Sequence, residues 1–250
     1  MKSAIIVAAT LFLVTPVVSA ADLTIVAKVT GQISSLTTSY MTANAIRSND
    51  SKNQFDTMTD FQNGITYHIN HKAKTITYTK LADVPGLVAA INANQPKGKG
   101  VAQFNAGMND LYGDPAILKV ENVGKDTVIG RSCNKIRITS GKLVWEYCMD
   151  PTLRSPIDPA TMMKATKAGY AGLAAYPNMA KVMSNLMDAT AKLNGVALKT
   201  HMSGYNGDTY MEVTSISQSS IPASTFALPT GYTTKDQIAE TKKALAARRH

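Results

Sequence analysis

The sequence predicts an α+β fold in which a large antiparallel sheet is covered on one side by helices. Three observations carry this. Two β-prone runs flank Ser140-Gly141, and two more flank Asn206-Gly207, dipeptides that mark tight turns. Residues 65–78 repeat the pattern, setting Tyr67 against Tyr78 and Ile69 against Ile76 around a turn near Lys72-Ala73. Beyond a proline-rich stretch at 150–160, the hydrophobic period changes from two to about 3.6, which is a helical signature.

Residues 1–20 read as a secretory signal peptide: Lys2 starts it, an apolar run follows, and Val18-Ser19-Ala20 suits cleavage. No comparable run recurs and no cysteine lies at the cleavage site. The expectation is therefore a periplasmic protein without a lipid anchor, and with no transmembrane span in the mature chain. Residues 21–232 are expected to form one domain with a helical insertion at about 150–194, followed by a basic helix or tail at 233–250. The formal charge of +9 is scattered, and no basic run is interleaved with aromatics, which argues against nucleic acid.

Taken in order, residues 23–29 open the mature chain as a strand and 38–47 form a second. Asn49-Asp50-Ser51 marks a turn, and the chain is extended again from Phe55. His68 and His71 have no carboxylate or third histidine nearby in the sequence, so they read as strand-and-turn histidines and no metal is expected. Residues 83–94 form a short helix with Asp83 as N-cap and Pro85 in the first turn. A basic loop at 95–100 precedes a second helix with Val101, Phe104, Met108 and Leu111 on one face. Residues 117–123 and 127–129 are strands turning at Gly124.

The stretch 130–149 is the most informative. With Ser140-Gly141 as the turn, Cys133 faces Cys148, Lys135 faces Glu146, Ile136 faces Trp145 and Ile138 faces Leu143. Side chains alternate, so Ile136, Ile138, Leu143 and Trp145 share a buried face, while the cysteines and charged residues share the other. Export to an oxidising compartment makes Cys133–Cys148 a disulfide rather than a metal or redox pair.

Two helices are expected at 159–173 and 177–194. The second carries Met179, Val182, Met183, Leu186, Met187 and Leu193 on its apolar face. In the Asn206-Gly207 hairpin, Met202 faces Met211, Thr200 faces Val213 and His201 faces Glu212. Val196, Leu198, Met202, Met211 and Val213 then form an apolar face. Residues 221–232 are an extended closing segment whose prolines confine it to an edge. Thr234 and Gln237 are spaced as a capping box for a basic terminal helix, with only Ile238 and Leu245 as a thin apolar face, so a solvated tail is expected.

The Gly130 to Cys133 G-x-x-C, its partner Cys148, and the closing Ile221-Pro222-x-Ser224-x-Phe226-x-x-Pro229-x-Gly231-Tyr232 resemble an exported bacterial family of unknown function. That family is related in fold to outer-membrane lipoprotein carriers, the LolA/LolB-like half-barrels. The resemblance implies a strongly curved antiparallel half-barrel wrapped around helices, with an apolar interior. It points to a noncatalytic binder or carrier of a lipid, acyl chain or acylated protein. The candidate ligand lining is Ile136, Ile138, Leu143, Trp145, Met179, Met183, Met187, Leu198, Met202, Met211 and Val213. Methionine suits a variable lipid site because it is flexible and polarizable, although the same side chains also fill dry cores. The other reading is an envelope accessory protein acting on a protein partner through an exposed edge or the terminal helix. No motif for an enzyme or cofactor appears, and Asp56, Asp60 and Glu212 have no evident catalytic partner.

Overall fold

The computed structural model describes residues 21–31, 34–50, 52, 54–94, 99–114, 116–204 and 207–247; the expected signal peptide, residues 1–20, lies outside them. The strands are β1 (Leu23–Gly31), β2 (Ser35–Met41), β3 (Ala45–Asp50), β4 (Phe55–Asp60), β5 (Ile65–Asn70) and β6 (Thr75–Lys80). They continue with β7 (Lys119–Val128), β8 (Arg131–Ser140), β9 (Leu143–Asp150), β10 (Val196–Ser203), β11 (Thr209–Ser217) and β12 (Thr233–Asp236). The helices are α1 (Val84–Ala93), α2 (Lys99–Tyr112), α3 (Pro159–Gly169), α4 (Pro177–Thr190) and α5 (Gln237–Ala247).

All twelve strands form one open, curved sheet in the order β12-β6-β5-β4-β3-β2-β1-β11-β10-β9-β8-β7. Every pairing is antiparallel except β12 with β6. The fold is the expected α+β class. Helix α1 packs against a 3-10 helix at Ala171–Ala175, which in turn packs on α4. A core of Ile138, Leu143, Trp145, Val182 and Leu186 fills the space between β8–β9 and α4.

The β5–β6 hairpin has the expected register, with Tyr67 opposite Tyr78 and Ile69 opposite Ile76. The other two hairpins are offset by two residues. Ile138 faces Trp145 and Ser140 faces Leu143, so the turn is Gly141-Lys142 rather than Ser140-Gly141. The end of α2 decides this. Lys142 N donates to Leu111 O (2.9 Å) and Ser140 Oγ donates to Tyr112 O (2.6 Å). Gly141 lies so close to Gly113 that a Cβ on it would meet Gly113 N at 2.5 Å, and its φ is +55°. In the β10–β11 hairpin, Thr200 faces Met211, His201 faces Tyr210 and Met202 faces Thr209. The loop is longer than two residues, and Asn206 of the expected turn lies outside the described residues. A shift of two keeps side chains on their expected faces.

Several boundaries differ. The strand expected at 38–47 divides into β2 and β3, because Thr42 Oγ1 accepts from Asn44 N (3.3 Å) and Ala45 N (3.1 Å) and closes a turn. Asn49 and Asp50, expected in a turn, still belong to β3, and Ser51 lies outside the described residues. Gly124 is a bulge inside the continuous β7, not a turn. The chain reverses at Ile129-Gly130, both with positive φ. Asp236, not Thr234, caps α5, accepting from Ile238 N (2.9 Å) and Ala239 N (3.0 Å). Thr234 lies in β12, and α5 buries Ile238 while packing on α1 and β6, which replaces the expected solvated tail.

The β8–β9 hairpin is buried on one face and also at the cysteine end of the other, while Arg137 on that second face stays exposed. Cys133 and Cys148, diagonal neighbours with Cα atoms 5.2 Å apart, form the disulfide. They pack with Leu23, Ile25, Ala27, Val128, Leu153, Leu198 and Val213 in a second core. Irregular pairing at Asn122/Gly124, Ala197/Lys199 and Val26/Ala27 bends the sheet around this core. The disulfide stabilises the fold by ~3 kcal/mol in the chain-entropy account.

Asp150 ends β9 fully buried and accepts from Arg131 Nε (2.5 Å), Thr152 N (2.8 Å) and Thr152 Oγ1 (2.7 Å). Burial alone pushes this carboxyl up. Hydrogen bonds from Thr152 and Arg131, with the Arg131 charge, outweigh it and hold the pKa below its usual value. A depressed folded-state pKa gives stability that is present above the unfolded pKa and lost as pH falls through the folded one. Denaturant midpoints should therefore drop as pH falls below about 4, and Asp150→Asn should flatten that drop. Parallel pH profiles for the two proteins would contradict the assignment.

Candidate functional site

The structure divides the eleven candidate lining residues. Ile138, Leu143 and Trp145 form the core under α4, and Ile136 and Met183 pack against it. Leu198 and Val213 belong to the disulfide core, with Met211 beside it. Met202 lies opposite Trp145 in the ladder yet is 43% exposed. Met179 and Met187 are buried on α4. Of the eleven, Met187 lines a crevice of about 210 Å³ together with Val88, Tyr170, Ala171, Ala174 and Ala180, and with Ser184 and Lys167.

This crevice lies between α1, the 3-10 helix and α4. Its local sequence explains it: Pro177 opens α4, Gly169 ends α3, and the alanine-rich 171–175 segment turns tightly between them. Small side chains on the 3-10 helix and α4 leave a narrow apolar channel. Lys167 Nζ meets Asp188 Oδ1 at 2.7 Å, joining α3 to α4. Nearby, Tyr147 packs against the α4 core, where burial, with a smaller contribution from Tyr170, pushes its pKa up to about 12.

A polar cluster escaped the sequence reading. Asp56, only 5% exposed, accepts from Arg47 Nη2 (2.5 Å) and Arg47 Nε (3.1 Å), and its Oδ2 lies 3.0 Å from His71 Nε2. His71 Nδ1 is 3.0 Å from the Tyr232 hydroxyl. Arg47 Nη1 also donates to the carbonyls of Thr225 (2.8 Å) and Ala227 (3.1 Å). The acid without an evident partner and the unremarkable turn histidine thus tie the closing segment onto β3–β5. Sequence separations of 161 and 178 residues hid the contacts; the only local signal was Tyr232 at the end of the closing motif. His68 is separate from this cluster, and burial lowers its pKa. Among the described residues no three histidine, cysteine or acidic side chains form a metal-binding group.

A charged array crosses β7–β11. Arg137 donates to Glu146 (2.7 Å), replacing the Lys135–Glu146 pair expected from the shorter register. That bond is the largest influence holding the Glu146 carboxyl below its usual pKa. His201 stacks on Tyr210 with ring centroids 4.3 Å apart, and its Nδ1 lies 3.4 Å from Glu146. Lys199 pairs with Glu212 at 3.1 Å. These pairs organise the surface, while the buried His201 Nε2 lacks a hydrogen-bond partner among the described residues and lies 3.6 Å from Asp208 Oδ1.

Residues 102–232 match the family model described as Domain of unknown function (DUF4412). No curated protein matches the chain. Among solved structures, it is similar to an uncharacterized conserved protein from Thermus thermophilus, with TM-score 0.49, 7% identity, and coverage of 88% of this chain and 92% of that one. It is also similar to PNGF-II, with TM-score 0.42, 12% identity, and coverage of 92% and 33%. The Pseudomonas aeruginosa MucA/MucB complex gives TM-score 0.42, 10% identity, and coverage of 84% and 56%. The chain therefore spans a third of the PNGF-II chain and just over half of the chain matched in that complex. Among the described residues no helix is long and apolar enough to cross a membrane.

Proposed function

We propose that this chain, which belongs to the DUF4412 family, is a noncatalytic periplasmic binder of an acyl chain, carried as free lipid or on an acylated protein. The carrying observation is the apolar crevice between α1, the 3-10 helix and α4 on the sheet's helical side. Its wall of Val88, Ala171, Ala174, Ala180 and Met187 suits methylene groups. Each buried methylene contributes ~0.8 kcal/mol. At about 210 Å³, the crevice is smaller than the ~300–1,000 Å³ of typical ligand pockets, so it grips only part of a chain. Partial burial gives reversible binding, which suits a carrier in the manner of the outer-membrane lipoprotein carriers.

A fluorescent fatty-acid probe tests this. The exported chain should bind it saturably. Ala180→Phe should fill the crevice and weaken binding by about tenfold, equivalent to ~1.4 kcal/mol, with little change in melting temperature. Met183→Trp is the contrasting variant, because Met183 packs against the Trp145 core. Overpacking there should lower stability by ~1–3 kcal/mol. Absence of saturable binding by the unsubstituted protein would refute the acyl-binding reading.

A further inference from the structure

The two edges of the sheet are treated differently. At one end β12, a short parallel strand, is followed by α5, which packs on β6. At the other end, among the described residues, β7 pairs only with β8 along its length, and Val120 is 49% exposed at this edge. Just before the strand, Ile117 is 67% exposed. Beside the edge, Leu118 and Val120 line a cleft of about 480 Å³ with Ala189 of α4 and Leu193 just beyond that helix, rimmed by Asn185, Asp188 and Lys192. Exposed edges usually carry devices that prevent pairing. Here the Gly124 bulge and Lys125 interrupt the C-terminal half of β7, but 119–122 remains regular.

The hydrogen-bonding phase of that half follows from two turns. Val128 and Arg131 flank one two-residue turn, and Ser140 and Leu143 flank the other. Residues flanking such a turn exchange both ladder hydrogen bonds, and the phase alternates from there. Counting from either turn, the odd-numbered residues of β8 direct their amides and carbonyls at β7. Lys119 and Glu121, opposite Thr139 and Arg137, are thus bonded to β8, whereas Val120 and Asn122 direct theirs outward.

We propose that this edge is a self-association surface, on which β7 of a second copy pairs antiparallel about a two-fold axis at Val120. In that register the two Val120 residues exchange both outward hydrogen bonds, and Leu118 lies opposite the second copy's Asn122. Lys119 lies opposite the second copy's Glu121, twice. Within one chain Lys119 Nζ already lies 2.8 Å from Glu121 Oε1, so the axis gathers two cations and two anions in alternation. Moving the two-fold axis by one residue loses this match: centring on Glu121 sets two carboxylates against each other. The paired valines extend the apolar floor of the cleft beside each α4. A second copy supplies the backbone partners, the charges and the apolar contact from one sequence. The paired stretch is short, so the dimer is weak and dissociates on dilution.

Sedimentation velocity of the exported chain across a dilution series should show a monomer–dimer equilibrium. Val120→Pro removes an outward N–H that β8 does not use, so it should abolish the dimer while leaving the unfolding midpoint nearly unchanged. Glu121→Lys should weaken association on the order of tenfold, since it creates two like-charge contacts. The double variant Lys119→Glu with Glu121→Lys should restore it, which a damaged fold would not do. Acyl-probe binding should persist in Val120→Pro, because α1, the 3-10 helix and α4 form that crevice. A protein monomeric at every concentration, a dimer indifferent to these substitutions, or a monomer holding an unrelated polypeptide strand at β7 would overturn the proposal.

Discussion

Replacing Asp56 by alanine should destabilise the protein by ~3–5 kcal/mol, because it strands the charge of Arg47 in a site where that side chain is only 12% exposed. Three donors lose their common acceptor: Arg47 Nε, Arg47 Nη2 and His71 Nε2. The damage extends to the closing segment. With Asp56 gone, Arg47 no longer has a fixed position from which to hold the Thr225 and Ala227 carbonyls, and His71 is no longer oriented toward Tyr232. Limited proteolysis should therefore cut within residues 218–232 before the rest of the sheet opens. Asp56→Asn retains an acceptor and should cost less. Chemical denaturation measures the cost, and a loss below ~1 kcal/mol for the alanine variant would contradict the buried network.

Truncating Trp145 to alanine should cost a comparable ~3–5 kcal/mol. The indole is 7% exposed and is packed among Ile138, Leu143, Val182 and Leu186, joining the hairpin to α4. Its loss leaves a cavity that the sheet, held by ladders on both sides, closes only in part. As the single tryptophan, it also reports directly on this core: native emission should be blue-shifted and should move to the red on unfolding. A solvent-like native spectrum, or a truncation that costs less than ~1 kcal/mol, would place the side chain elsewhere. Leu186→Ala should act in the same direction through the other wall of the core.

The periodicities in the amino-acid sequence were enough to identify three hairpins, β5–β6, β8–β9 and β10–β11, the change to helices after residue 159, and the common face of the two cysteines. They also separated Ile136, Ile138, Leu143 and Trp145 from the charged face of their hairpin. Each depends on alternation within a few residues, and that alternation survives a register shift of two. The register itself did not follow from the sequence, because it depends on α2 docking its last turn against Gly141 and Lys142. Tertiary structure also decided that the cysteines lie in a second core, since bulges in distant strands bend the sheet around them. It decided what Asp56, Arg47, His71 and Tyr232 do, because strands far apart in the chain bring them together. It divided the candidate methionines and aliphatics between two cores, a crevice and the surface, for a helical period shows which side is apolar but not what that side meets. A single strand or helix determines its own faces; only the packed sheet determines which of those faces are filled, which remain open, and which edge is left for another strand.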